Sequence, residues 1–310
     1  MTATAALHVT RCPVPTASGV AVSHGWLPCE PALADIDIRI LQDLPELRGR
    51  HFDHRLDTLV REGGNIPALW AAARDGRTRL LGLTWVDEFQ ALVGRPGGSI
   101  GRIGIPVEET DRVDFRRATA LKGVASTLAK VGAGLDGADL VEIAWAGHEH
   151  DGEYGAELQA VGDGAIDAFF VKGAQGHRLS ERAGVEVLVE LTADDPLTWR
   201  VNNGTPRTLT AHADLVESAP QIVDAYVRSV LAVSRWAHED QRGFFTFVAQ
   251  ETGTDLESAC EAYDLSGLTP SLSDERLDAL RVQRDFLVEH GFIASGLDLD
   301  DWIHPTALNA

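Results

Sequence analysis

The sequence predicts an α/β protein of two lobes with a cleft between them, and three observations carry that expectation. Strand-like and helix-like segments alternate along much of the chain. A Gly/Pro-rich stretch, RPGGSIGRIGIP, interrupts the alternation near residue 96. Beyond about residue 196 the pattern turns mainly helical. The simplest arrangement is a discontinuous first lobe, residues 1–95 and 196–310, with a second α/β lobe, 96–195, inserted into it. Ligands of such folds gather outside the carboxyl ends of strands and between domains.

Taken in order, residues 6–10 read as a strand, and the segment 13–26 reads as a turn into a helix with Thr16 and Ser18 as caps. In DIDIRIL, residues 35–41, Ile36, Ile38 and Ile40 share one face at period two. GGNIPALWAAARDG, residues 63–76, has a glycine pair, then Pro67 near a helix start, then a glycine stop. RLLGLTWV, 79–86, is a strand. The inserted region offers a helix at about 112–130, a strand at 138–146, a helix around 156–161, and strands at 165–171 and 185–191. Residues 221–239 and 277–293 have apolar residues at helical spacing.

Composition narrows the function. The chain has 310 residues, 44% of them hydrophobic, which is globular in character. Its formal charge of −20 argues against nucleic acid or an anionic membrane as partner, since both need an exposed basic face. A small anion is still possible, because a few buried Arg and backbone N–H groups hold one locally. The three cysteines, at 12, 29 and 260, form no disulfide framework and no zinc spacing. No stretch approaches the roughly 20 apolar residues of a spanning helix, and the N-terminus does not read as a signal peptide. The expectation is a soluble, cytoplasmic protein.

Three features converge in the first lobe. Cys12, in VTRCPVP, ends the first strand and precedes a helix N-terminus, a place that lowers a thiol pKa through the dipole and free N–H groups. A small buried filler is the plainer alternative. His51 lies in GRHFDHR beside an equally plain His54. Arg61 precedes Gly63 and Gly64, two glycines that let backbone approach a ligand, and the helix opening near Pro67 aims its N–H groups the same way. An Arg beside such a turn suits a small oxyanion. Phe52 and Trp70 are either core or the lining of an aromatic pocket. His148 and His150 in GHEHDG read as a solvated loop before a metal pair, and Lys172 at a strand end reads as a surface lysine before an anion contact.

CPVPTA, then the His51–Phe52 pair, then REGGNIPAL resemble the corresponding segments of the 2-(2'-hydroxyphenyl)benzenesulfinate desulfinase family, the last enzymes of dibenzothiophene desulfurisation. The ten-residue step from His51 to Arg61 is kept, GRTRLLGLT resembles the next strand, and DLDDWIHPTALN resembles the tail. The likeness is strongest in about the first third and at the tail. It implies the two-lobed periplasmic substrate-binding-protein-like (type II) fold turned to catalysis. It also implies that the catalytic cysteine, histidine and arginine fall on Cys12, His51 and Arg61. Gly64 then offers its N–H to the sulfinate, with Gly63, Phe52 and Arg61 in the substrate-binding set. The implied reaction is hydrolytic C–S cleavage releasing sulfite, without cofactor or metal, with Cys12 as proton donor or nucleophile. The expected partner is a small-molecule sulfinate or similar organic anion, bound by a monomer. A non-catalytic anion-binding protein of the same fold is the leading alternative. A cysteine-dependent ester or amide hydrolase comes next. A relative of thiamine-pyrimidine synthases ranks last, because their cysteine-rich iron-binding motif is missing from this sequence.

Overall fold

Among the described residues the alternation resolves into two five-stranded sheets and a short two-stranded one. The computed structural model describes residues 6–12, 15–47, 49–145, 152–182, 184–304 and 308, with His51 described in its backbone alone. The chain lays down β1 (Ala6–Val9), α1 (Ala17–Ser23), β2 (Asp37–Ile40), α2 (Arg50–Asp53), β3 (Leu59–Gly64), α3 (Asn65–Asp75) and β4 (Thr78–Thr84). It passes through β5 (Asp87–Glu88) into β6 (Gln90–Gly94), β7 (Arg102–Val107), α4 (Phe115–Lys130) and β8 (Asp139–Ala144). Next come α5 (Gly155–Gly162), β9 (Ala168–Lys172), α6 (Gly173–Ser180) and β10 (Glu186–Leu191). It returns through α7 (Leu197–Arg200) to β11 (Arg207–His212), followed by α8 (Ala213–Ser218), α9 (Pro220–Glu239), α10 (Gln241–Thr252) and α11 (Leu256–Ala262). The last elements are β12 (Tyr263–Asp264), α12 (Asp274–Glu289) and α13 (Leu299–Trp302).

The first sheet has the order β2-β1-β3-β11-β4. Strands β1, β2 and β3 are parallel, while β11 is antiparallel to both β3 and β4. That reversal matters for chemistry. It brings the start of β11 to the edge where β1 and β3 end, with Arg207 directly opposite Gly64. Helices α1, α9 and α10 cover one face through a core that includes Leu7, Val20, Val60, Tyr226 and Phe244. Helices α3, α12 and α13 cover the other through Ile66, Leu69, Leu280 and Trp302. The second sheet, in the order β10-β6-β9-β7-β8, has its own buried clusters around Phe170 and Phe169.

Local chemistry starts the helices where the chain needs them. The Thr16 hydroxyl accepts the Gly19 N–H and caps α1, as the sequence suggests. Asp114 caps α4 by accepting from Arg117, and Pro220 opens α9. Gly76, at φ 65°, ends α3 in the left-handed region where glycine carries no Cβ penalty.

Several elements correct the sequence reading. LVREGG, read as a glycine turn beside Arg61, is the central strand β3, and every residue of it but the last is buried. RTLTAH, read as part of a helical region, is β11, buried along its whole length. RIGIPV, read as a boundary, is β7. Gln90–Gly94, assigned by sequence to the first lobe, pairs with β9 and β10 in the second sheet, so the chain leaves the first sheet before residue 95. A strand buried on both faces loses the alternation that marks a half-exposed one.

The crossing segments are braced. Gln90 Nε2 donates to the Arg200 carbonyl at 2.8 Å, and Asn202 Nδ2 donates to Gln90 Oε1 at 3.2 Å. Arg200 pairs with Asp87, and β5 pairs with β12.

Candidate functional site

The site is built where β1 and β3 end and β11 begins. Cys12 follows β1 on a segment fixed by two hydrogen bonds. The Thr10 hydroxyl donates to the Glu62 carbonyl at 3.3 Å, and the Arg11 N–H donates to Gln42 Oε1 at 2.8 Å. Burial pushes the Cys12 thiol up from its ordinary value. Glu62 acts in the same direction, while Arg61, Arg207 and Lys172 pull the other way. This corrects the expectation that the α1 N-terminus lowers the thiol pKa. The Ser18 N–H donates to Glu62 Oε2 at 2.7 Å and the Gly19 N–H to Thr16 Oγ1 at 3.1 Å, so those donors are already occupied.

Arg61 is 2% exposed. Its NH1 donates to the Gly64 carbonyl at 3.0 Å. The two glycines beside it have a structural reason that differs from the one read in the sequence. A Cβ at Gly63 would stand 2.9 Å from Arg61 NH2, and a Cβ at Gly64 would collide with the Asn203 amide. They make room for a guanidinium and for a cap. Asn203 holds the first turn of α3, its carbonyl accepting the Asn65 N–H at 2.8 Å and its Oδ1 the Ile66 N–H at 3.0 Å. Those two N–H groups are therefore spent on Asn203 rather than left for a ligand.

Four charged residues that the sequence reading did not place in the site surround this edge. Glu62 is fully buried, and its second oxygen accepts from the Thr84 hydroxyl at 3.0 Å. Glu88, on the crossing strand β5, accepts from Lys172 Nζ at 2.7 Å and lies 3.9 Å from Arg207 NH2. Lys172 ends β9, so this pair joins the second sheet to the crossing segment. Arg207 is fully buried, and its guanidinium nitrogens have no hydrogen-bond acceptor among the described residues. The Tyr154 hydroxyl accepts the Lys172 N–H at 3.0 Å, and the Tyr263 hydroxyl accepts the Ala174 N–H at 3.1 Å. Burial holds both phenols above their ordinary pKa. A lone arginine opening a polar strand was the one signal available for Arg207, and it has meaning only once β11 is known to sit opposite Gly64.

The remaining sequence candidates separate. Cys12, Arg61, Gly63 and Gly64 share the strand edge. Phe52 stacks on Phe115 with ring centroids 5.5 Å apart and lies under Arg112, which makes it a contact between α2 and the start of α4. Trp70 carries Arg74 over its face at 4.5 Å. The side chain of His51, and His148 and His150, lie outside the described residues. His54 is buried and ends α2 at a φ of 51°. Cys29 and Cys260 are exposed. Two groups of described residues, Asp57–His212–Asp214 and His177–Glu181–Glu261, bring ligand atoms within 4.8 Å of one another, and neither includes a residue of this edge. No helix among the described residues is long and apolar enough to cross a membrane.

No family model matches the chain, and no curated protein matches it. Solved structures do. The crystal structure of desulfurization enzyme DSZB superposes with a TM-score of 0.72 at 21% identity, over 98% of this chain and 97% of that one. A cysteine-to-serine mutant of DSZB in complex with biphenyl-2-sulfinic acid gives 0.73 at 21%, with the same coverage. The periplasmic aliphatic sulphonate binding protein SsuA from Escherichia coli gives 0.68 at 13% identity, over 99% of this chain and 94% of that one. Across such identities the shared property is the fold, and it is the two-lobed periplasmic-binding-protein-like fold that the sequence leads one to expect.

Proposed function

We propose that this protein is a sulfinate desulfinase, acting in the cytoplasm, that hydrolyses the C–S bond of an aromatic sulfinate. The overall change is R–SO₂⁻ + H₂O → R–H + HSO₃⁻. One observation carries the reading: a half-buried thiol shares its strand edge with a buried arginine from the neighbouring strand. The motif resemblance around Cys12, His51 and Arg61 and the likeness to a desulfurization enzyme support it. In this reading Arg61 and the Gly64 N–H hold the sulfinate oxygens, Gly63 leaves the Arg61 guanidinium its place beside them, and His51 orients the thiol.

The raised thiol pKa favours Cys12 as proton donor over Cys12 as thiolate nucleophile. The thiol proton passes to the ring carbon as the C–S bond breaks, giving R–H, sulfur dioxide and a thiolate. Water adds to sulfur dioxide, giving bisulfite and returning the proton to sulfur. Atoms and charge balance without an oxidant or reductant. A dry, closed cleft strengthens each polar contact.

Cys12→Ser is expected to lose sulfite release while still binding sulfinate, read by a colorimetric sulfite assay beside calorimetry. Full turnover in that variant would overturn the proposal. A second reading, a non-catalytic binder of sulfur oxyanions, is favoured by the likeness to the sulphonate binding protein SsuA. It predicts tight sulfinate binding with no sulfite from the wild-type protein.

A further inference from the structure

Arg207 is the largest fully buried side chain among the described residues. Its three guanidinium nitrogens have no hydrogen-bond acceptor there, and the nearest carboxylate, Glu88, stands 3.9 Å away with its other oxygen held by Lys172 at 2.7 Å. A buried, poorly paired guanidinium costs stability. Such a group persists where something else repays it, and its position says what. Arg207 lies opposite Gly64, the residue whose carbonyl anchors Arg61. Two buried guanidiniums therefore reach the same strand end from adjacent strands.

The charges at this edge have an arithmetic of their own. The described residues acting on the Cys12 thiol include the cations Arg61, Arg207 and Lys172 and the carboxylate Glu62. Glu88 adds a second carboxylate through its contacts with Lys172 and Arg207. Glu62 is held by the Ser18 N–H and the Thr84 hydroxyl, and Glu88 by Lys172. One positive charge is left over, on a protein whose formal charge is −20. With Cys12 as a thiol, one monoanion neutralises the site, whereas a dianion would face two buried carboxylates with a negative charge in excess.

We propose that Arg207 is a second oxyanion ligand opposite Arg61, and that buried Glu88 restricts the site to monoanions, sulfinates or sulfonates, against dianions. This rests on the sulfinate site proposed above and names its charge class.

The test is calorimetry on the full chain with benzenesulfinate, benzenesulfonate and phenylphosphonate at about pH 8, where the phosphonate is dianionic. Wild type is expected to bind both sulfur anions and to hold the phosphonate at least about tenfold more weakly. Arg207→Gln is expected to lose about thirtyfold in sulfinate affinity, as for a charged hydrogen bond. The same change raises the melting temperature of the ligand-free protein, because it removes a buried charge that has no hydrogen bond among the described residues and whose nearest carboxylate, 3.9 Å away, is already held by Lys172. A merely structural arginine gives the opposite melting shift, and Arg207→Lys restores part of the affinity. Glu88→Gln is expected to bring the phosphonate within about threefold of the sulfinate, a readout that does not depend on how Arg207 variants fold. Sulfinate affinity within threefold of wild type in Arg207→Gln, or phosphonate bound as tightly as sulfinate by wild type, overturns the inference. A wild type that binds none of the three overturns the sulfinate site together with it. Binding without sulfite release overturns only the catalytic reading and leaves calorimetry to decide on Arg207.

Discussion

Two regions of this molecule are rich in arginine, and they differ in what the arginines are free to do. Beside α2 a cavity of about 240 Å³ is lined by Arg50, Arg55, Arg74 and Arg112 with Trp70. Each guanidinium there has an acid near it: Arg50 and Arg55 share Asp53, Arg74 faces Asp75, and Arg112 faces Asp111. At the strand edge, by contrast, Arg61 and Arg207 are 2% and 0% exposed, and carboxylates do not neutralise them fully. Water and salt screen the outer cluster. The inner one sits where a charge–charge contact is felt at low dielectric. The number of arginines around a hollow therefore says less about anion binding than the burial and pairing of each.

That contrast breaks most sharply at Arg61. Arg61→Gln is expected to lower benzenesulfinate affinity by about a hundredfold, the scale of a buried charge-assisted pair. Calorimetry checks it, and unchanged affinity would move the anion site away from β3.

The pH profile sharpens the role of Cys12. The thiol stands above its ordinary value, so its proton is retained through neutral pH. Sulfite release by a proton donor is expected to stay flat through neutrality. It then falls about tenfold per pH unit once pH passes the raised thiol pKa. A rate that climbs with pH through this range assigns the step to the thiolate instead.

A smaller effect is expected at Gly63. Gly63→Ala puts a methyl 2.9 Å from the Arg61 guanidinium, so the side chain must shift. The expected cost is about 1–3 kcal/mol of stability, measured by urea unfolding, with a loss of sulfinate affinity alongside. The smallest effect belongs to the outer cluster. Arg55→Gln removes a side chain that is 54% exposed and paired at 3.6 Å, and should change stability by less than about 0.5 kcal/mol. A loss of sulfinate affinity there as large as at Arg61 would erase the distinction between the two regions.

The sequence made some features legible and hid others for a physical reason. Ile36, Ile38 and Ile40 announce β2 because an edge strand keeps one face wetter than the other. The Thr16 cap and the Gly76 stop are local signals with local consequences. Strand β3 was hidden because Arg61 and Glu62 interrupt its apolar run, yet Glu62 is fully buried and satisfied by Ser18 and Thr84 from other elements. Strand β11 was hidden by its alternating threonines, which the sheet buries on both sides. Of the site, the thiol, Arg61 and the glycine pair could be singled out from their motifs. Arg207 and Glu88 could not, since they come from a returning strand and a crossing strand, and Lys172, noticed at its strand end, reads as a surface lysine until the second sheet is set against Glu88.

By itself the chain determined its α/β alternation, its helix starts and stops, its strongly acidic balance and a short set of motif residues near the N-terminus. All of these are written within a few residues of one another and need no distant partner. Tertiary structure alone decided that β11 runs antiparallel beside β3, which sets Arg207 against Gly64. It also decided that the α1 N-terminus is spent on Glu62 and that the thiol is thereby left to the opposing pulls of burial and three cations. A pKa and a charge balance are sums over neighbours, and neighbours separated by up to some two hundred positions are fixed by packing, not by local sequence.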